Sequence, residues 1–318
     1  MITASAVPAA FKVRRTKGFV FFLVKIVGTL ICLYVISRSV SWHELVKSLA
    51  NIRLEWLGFA VLIFWATQII SSLRCAYVAR TLGGHLDLAT SMRAHFVGLW
   101  FNQVLPSSFG GDIMKMSILK RQVGLSIGTR AILIDRFSGL MLLLLVLSVQ
   151  LPFYSIYFGG DHWLVSIGWT ALVAFFAAAA ISGVAASING KYNFPFGVRH
   201  AVELVADVWS FRRGRTLWEQ FWTSFVVHVN SVLSFVLIGF ALDVHISLVA
   251  YVLLVPVVFI VALIPVSFAG WGVREAGAIL VFSTVGISKE SALGMSVSFG
   301  MLLLIAGLPG LIAWILRK

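Results

Sequence analysis

The sequence predicts an all-α polytopic membrane protein, with about six full transmembrane helices plus two re-entrant broken-helix segments in an inverted internal repeat, all within one domain spanning 1–318. Three observations predict this. First, 60% of residues are hydrophobic, 12% are charged and the mean hydropathy is +0.98, whereas soluble domains carry about a quarter charged residues. Second, six apolar stretches reach the roughly 20 residues that a crossing helix needs. Third, two further apolar regions are interrupted near their middles by Pro and Gly, and the interruptions resemble each other at half the chain length.

Taken in order, residues 1–18 form a cytoplasmic basic segment with Lys12, Arg14, Arg15 and Lys17. The apolar run that follows is too long for a signal-peptide core and lacks a small-residue cleavage site, so 19–37 is expected to remain as a signal anchor. The other expected spans are 56–73, 138–157, 163–187, 218–241 and 291–316. In the region 94–122, broken by LPSSFGGD at 105–112, Ala94 to Val104 would span only about 16 Å, half of the hydrocarbon core. In 247–286, broken by IPVSFAGWG at 264–272, Ser247 to Ala262 would reach about 24 Å, so this piece reads either as re-entrant or as a nearly full span. Residues 198–211 place Val198, Val202, Val205 and Trp209 on one side and Arg199, Glu203 and Asp207 elsewhere, as in an interfacial helix.

Twenty-five basic against 12 acidic residues give a net charge of +13. Membrane proteins gather Lys and Arg in cytoplasmic loops, so this excess is read as topology and nucleic acid is not expected as a partner. With a cytoplasmic N-terminus and both broken segments re-entering, 19 basic residues fall on the cytoplasmic side; only Arg38, Lys47, Arg53 and Lys289 fall outside, and Lys25 and Arg274 lie within the membrane region. That asymmetry predicts an inner-membrane protein with both termini cytoplasmic. Cys32 and Cys75 have no His or Cys at ligand spacing, so neither metal nor disulfide is indicated. No nucleotide, cofactor or hydrolase motif has a supporting context, and the loops are too short for a catalytic domain.

The two interruptions align at a displacement of 159 residues: LPSSFGGDIMK at 105–115 lies over IPVSFAGWGVR at 264–274, matching Pro106 with Pro265, Gly111 with Gly270 and Lys115 with Arg274. Three spans between them predict entry from opposite faces, the arrangement that places a transporter's substrate site near the midplane. Pro106 and Pro265 are the expected kinks. Amides around Gly110, Gly111, Gly270 and Gly272, each with a half-helix N-terminus behind them, suit a phosphate, assisted by Lys115 or Arg274. The alternative is a structural kink that lets helices pack closely. Asp112, Arg274 and Glu275 are the strongest candidates because an intramembrane charge is costly unless paired or functional. Asn102 either lines the cavity or satisfies carbonyls freed by Pro106, and Arg136 reads as a topology charge or a headgroup contact. His228 and Asn230 read as interhelical hydrogen bonds rather than a proton relay.

Asn102-x-x-Leu105-Pro106, Gly110-Gly111-Asp112, Asp135-Arg136, Ile264-Pro265, Gly270-x-Gly272-Val273-Arg274-Glu275 and Leu308-Pro309-Gly310 together resemble the lysylphosphatidylglycerol synthase transmembrane region, or flippase-like, family. The resemblance implies an inner-membrane protein that handles lipids, with relatives that flip aminoacylated phosphatidylglycerol and others tied to hopanoid, glycolipid or polyprenyl-phosphate sugar pathways. Lys115 stands where the family often carries Arg, keeping the cation but losing its bidentate fork. The chain ends at Lys318 with no aminoacyl-transferase domain, so lipid aminoacylation is not expected of it. The expected activity is movement of an anionic lipid between leaflets, with no cofactor; membrane lipids and a separate lipid-modifying enzyme are the expected partners. The alternatives are a membrane transferase acting on a lipid-phosphate carrier, with Asp112 or Glu275 as base, and a scaffold for lipid-modifying enzymes.

Overall fold

The computed structural model describes residues 26–105, 110–159, 162–192, 195–210, 214–264, 267 and 270–316. Those residues form helices α1 (Ile26–Ser39), α2 (Trp42–Ala50), α3 (Leu54–Thr81), α4 (Leu88–Val104), α5 (Gly110–Val149), α6 (Leu151–Phe158), α7 (Trp163–Ile188), α8 (Phe196–Ser210), α9 (Gly214–Ala241), α10 (Leu248–Ala262), α11 (Val273–Phe282) and α12 (Lys289–Ile315). Helices α3, α5, α7, α9 and α12 are each long and apolar enough to cross a membrane. A sixth span results if α1 and α2, bent by 91°, are counted as one. The first expected span is described only from Ile26 onward, and Pro106 and Pro265 lie outside the described residues.

Three expectations change. The span expected at 138–157 is divided: α5 stops at Val149, and Pro152 sits in the first turn of the separate helix α6. Proline has no N–H for a carbonyl four residues back, so it starts a helix more readily than it continues one. Within α5, Gly124 (φ 76°, ψ 170°) separates 110–123 from 125–149, a backbone state that glycine reaches at little cost. Helix α4 has 17 residues rather than 11. Its polar start, read as loop in the sequence, is capped by the Asp87 carboxylate accepting from Thr90 N–H at 2.7 Å. Ser91 Oγ then donates to Ser72 O at 2.8 Å and Arg93 to Ala313 O at 3.0 Å, so both polar groups are satisfied within the helix bundle. The expected interfacial helix is α8, but Asp207 pairs with Arg130 of α5 instead of facing solvent.

The internal repeat extends well beyond the Pro and Gly interruptions. Helices α3 and α9 both have 28 residues and are displaced by 160. Both end in a Schellman turn with the same hydrogen bonds: Gly83 to Arg80 O and Gly84 to Ala79 O in one, Asp243 to Phe240 O and Val244 to Gly239 O in the other. The left-handed position is Gly83 (φ 86°) in the first half and Asp243 (φ 57°) in the second. Each turn leads into a capped helix, Asp87 holding Thr90 N–H and Ser247 holding Ala250 N–H. In both halves a short helix, α2 or α8, precedes the 28-residue span, and a broken helix pair and a long span follow it.

These equivalent helices pack side by side and antiparallel. Arg53 just before α3 meets Asp243 just after α9, Asn230 donates to Thr67 at 3.1 Å, and Arg74 donates to Ser224. Rising numbers on one helix thus meet falling numbers on the other. The pairing of Asn230 with Thr67 fits the interhelical reading, and His228 bonds to Ser224 O of its own helix.

The core centres on Phe235, Tyr251, Phe282 and Phe299, with the Phe235 and Phe299 rings 4.6 Å apart. Helix α12 presses on α4 through Gly307 and Gly310; a Cβ on Gly310 would lie 2.0 Å from Phe96 O. The Leu308-Pro309-Gly310 motif is therefore a helix-packing element. On the other side of the repeat, Pro256 within α10 supplies no N–H to Val252 O, and Gln150 Nε2 donates to that carbonyl at 2.8 Å. The Tyr154 hydroxyl lies 3.0 Å from Leu253 O, next to it. Gln150 thus replaces the one hydrogen bond that proline removes, and Tyr154 adds a further bond beside it.

Candidate functional site

At the first break, α4 ends at Val104, Leu105 follows in extended conformation (φ −82°, ψ 142°) and α5 begins at Gly110. A Cβ on Gly111 would lie 2.1 Å from Gly98 O and 2.5 Å from Asn102 Cγ. Only glycine permits the two helices to meet there. Asn102 Oδ1 accepts from Gly111 N–H at 2.9 Å, and the Lys115 stem lies over Gly98, where a Cβ would be 2.6 Å from Lys115 Cγ. Gly110 is closed off similarly, with Leu105 Cβ 2.5 Å from where its own Cβ would be. The first break is thus closely packed, and the Gly111 amide expected to face a ligand is bonded to Asn102. Asp112, one residue on, forms an ion pair with Arg136, joining the first turn of α5 to its long outer part.

Deeper in the same half lies an ion pair that sequence reasoning missed. Arg74 of α3 donates through Nε to Asp135 Oδ1 at 2.6 Å and through Nη2 to Asp135 O at 3.2 Å, and its third nitrogen reaches Ser224 of α9. Arg74 and Asp135 are 6% and 9% exposed. His95 and Lys115 are within electrostatic reach of Asp135. His95 is buried; its Nδ1 lies 3.0 Å from Ser91 O, and its Nε2 has no hydrogen-bond partner among the described residues. Arg74 was counted with the cytoplasmic loop charges. The overlooked signal is that Cys75-Ala76-Tyr77-Val78-Ala79 continues the apolar run past it.

The second break holds the most enclosed charges. Gly270 (φ 82°) and Gly272 (φ 89°) take left-handed conformations before α11, and a Cβ on Gly272 would lie 2.8 Å from Cys32 Cβ of α1. Glu275, in the first turn of α11, accepts from Gly272 N–H at 2.5 Å, the side-chain-to-backbone half of a capping box. Its other oxygen is 2.6 Å from Arg274 Nη2 and 3.2 Å from Ser296 Oγ on α12. Arg274 also donates to Ser296 at 3.2 Å, and its guanidinium lies 5.0 Å from the Trp271 ring centroid and 5.8 Å from that of Phe299. Gly300 makes the room, since a Cβ there would be 2.5 Å from Arg274 Nη2. The N-terminus of α11, expected to attract an external anion, therefore holds the Glu275 carboxylate.

The candidates named from sequence thus gather into two polar knots, one beside each break: Asn102, Gly111 and Asp112 with Arg136 in the first half, and Gly272, Arg274 and Glu275 with Ser296 in the second. In both, a group in the first turn after the break is tied to the long span that follows. Trp271, Ser296 and Gly300 had no distinguishing sequence signal, being common residues in apolar helices. Among the described residues no group of three or more His, Cys, Asp or Glu is placed to hold a metal.

An all-helical bundle with several candidate spans, an antiparallel pair of equivalent helices and two broken helices braced by ion pairs defines a polytopic membrane protein of internally repeated build. The sequence matches the lysylphosphatidylglycerol synthase TM region family over residues 22–310, and the chain belongs to that family. Membership connects it to membrane-lipid metabolism or lipid flipping. No curated protein and no solved structure matches the chain significantly.

Proposed function

We propose that this protein moves an anionic or phosphate-bearing lipid between the leaflets of the cell's inner membrane without changing it covalently. The observation that carries the reading is the antiparallel packing of the equivalent helices α3 and α9, with a broken helix beside each. Repeats inverted in this way permit two states of similar energy, open to opposite faces, so one site can serve both leaflets. The basic-residue asymmetry supports cytoplasmic termini.

The knots supply a mechanism. Glu275 holds Arg274 and the Gly272 amide. A lipid phosphate offers two anionic acceptor oxygens, as the carboxylate does, and would compete with it for the guanidinium and the amide. Releasing Glu275 loosens the tie between α11 and α12 through Ser296, which couples headgroup binding to motion of the broken helix. The acyl chains would remain in lipid, so a large enclosed cavity is not required. Asp112 with Arg136 would act similarly in the other half.

The second reading is a membrane transferase with Asp112 or Glu275 as general base. The ion pairing of both carboxylates favours the transporter, because a base needs a free lone pair directed at substrate. The test is lipid-dependent stabilisation of purified protein in neutral detergent. Phosphatidylglycerol should raise the midpoint of thermal unfolding more than phosphatidylcholine does, and Arg274→Gln should abolish the difference. Equal effects of the two lipids on the unaltered protein would reject an anion-selective site.

A further inference from the structure

A cavity of about 240 Å³ lies among α5, α7, α8 and α9, lined by no residue of either break. Its wall is almost entirely apolar, including Met141, Leu145, Phe175, Trp209 and Phe221, and exposed Leu217 stands at its rim. One lining residue does not belong in such a wall. Gln220 is only 5% exposed, and both its Oε1 and Nε2 have no hydrogen-bond partner among the described residues. Leaving a buried amide unpaired is costly, and an apolar side chain would fill the place without that cost. The other polar groups on the wall are bonded, Ser182 to Ala179 O, Ser138 to Ile134 O and Ser224 to Arg74.

The residue 160 positions before Gln220, at the corresponding place of the first half, is Ala60, fully buried in the main core. The buried amide is thus particular to one half of the repeat. The framework of the cavity is fixed: Arg130 and Asp207 join α5 to α8, and Trp209 lies over Gly183 of α7, where a Cβ would be 3.1 Å from the ring.

We infer that this cavity binds the hydrocarbon chain of a monoacyl glycerophospholipid, with its ester carbonyl accepting from Gln220 Nε2 and its free glycerol hydroxyl donating to Gln220 Oε1. The volume, below the roughly 300–1,000 Å³ of drug-sized pockets, admits the buried part of one chain and not two. The depth is also appropriate. Gln220 lies six residues inside α9, about 9 Å along its axis, and α9 follows the amphipathic helix α8, which puts the amide near the ester level of a bilayer. A chemical group with one acceptor and one donor on neighbouring carbons uses both halves of the amide. This site is separate from the proposed headgroup site and does not depend on transport.

The test is photolabelling of the full-length protein in neutral detergent with a monoacyl phosphatidylglycerol carrying a mid-chain diazirine, compared with its ether-linked analogue and with a diacyl probe. Peptides containing Met141, Phe175 or Phe221 should carry the label, with the ester probe favoured about threefold over the ether, the worth of one modest hydrogen bond. Ala179→Trp, which fills the cavity, should reduce labelling to background. Gln220→Leu, close in volume, should retain labelling and equalise the ester and ether probes, which keeps the test decisive if the tryptophan variant does not fold. Labels confined to outward residues such as Phe176 and Ile181 would overturn the site. An ester preference that persists in Gln220→Leu would overturn the role of the amide, and equal labelling by the diacyl probe would overturn the single-chain assignment.

Discussion

Arg74 and Asp135 form a buried ion pair at 2.6 Å that joins α3 to α5, while the same guanidinium reaches Ser224 of α9. Three spans thereby converge on one cation. Removing one member of a buried pair strands the other, at a typical cost of about 3–5 kcal/mol, whereas replacing both with apolar residues is often neutral. Asp135→Ala should therefore lower the thermal midpoint in detergent sharply, and Arg74→Met with Asp135→Leu should restore most of it. A double variant as unstable as the sum of its single variants would show that the pair gives more than mutual compensation.

Glycine contacts offer a graded test of helix packing. Gly111→Ala would force a methyl into Gly98 O, and Gly310→Ala would do the same at Phe96 O. Each is expected to destabilise by about 1–3 kcal/mol, the usual cost of overpacking. Gly58 in α3 has nothing within 4 Å of its virtual Cβ, so Gly58→Ala is expected to be neutral or to stabilise by about 0.5–1 kcal/mol. Equal losses at all three positions, measured by thermal unfolding, would contradict the packing described.

Membrane orientation can be read from the repeat. Helices α2 and α8 are the equivalent short helices of the two halves, so inversion puts them on opposite faces. In protein whose Cys32 and Cys75 have been replaced by serine, a cysteine at His43 should react with an impermeant maleimide on intact cells. One at Glu203 should react only after the membrane is opened. Reaction of both from the same side would exclude the inversion.

The cap of α4 predicts a pH effect outside the membrane. Thr90 N–H first, and then Gln122, hold the Asp87 carboxyl below its ordinary value. A carboxyl whose pKa is depressed by folding stabilises the fold above its unfolded value of about 3.9, and that contribution disappears as pH falls through the lower folded value. Because Asp87 lies at the surface, half-buried, solvent screening keeps the effect small. The midpoint difference between unaltered protein and Asp87→Ala should thus be present at pH 7 and shrink below about pH 4. A difference that stays constant down to pH 3 would mean that the ionised carboxylate has no part in the cap.

Much of this architecture was legible in the sequence. The spans expected at 56–73, 163–187, 218–241 and 291–316, the amphipathic helix at 198–211 and both interruptions follow from hydropathy and from Pro and Gly alone, since lipid leaves no choice but to pair every backbone group within a helix. The start of α4 was not legible, because Thr90, Ser91 and Arg93 look like loop until α3 and α12 supply their partners. Arg74 was misplaced for the same reason: a charge at the end of an apolar run reads as a boundary unless its partner, 61 residues away, is known. The candidate charges are legible as costly groups needing partners, but hydropathy does not disclose that Glu275 closes on Arg274 and the Gly272 amide.

Inter-leaflet exchange is the most direct measurement of the central claim. Protein reconstituted into liposomes with fluorescent headgroup-labelled lipids should, on addition of dithionite, let more than the outer-leaflet signal be quenched for at least one anionic lipid. Exchange should fall in Glu275→Gln and Arg274→Gln proteins that retain the unaltered thermal midpoint. An absence of exchange for every anionic lipid tried, together with a chemically altered lipid when a group donor is supplied, would contradict the transporter account and establish the transferase.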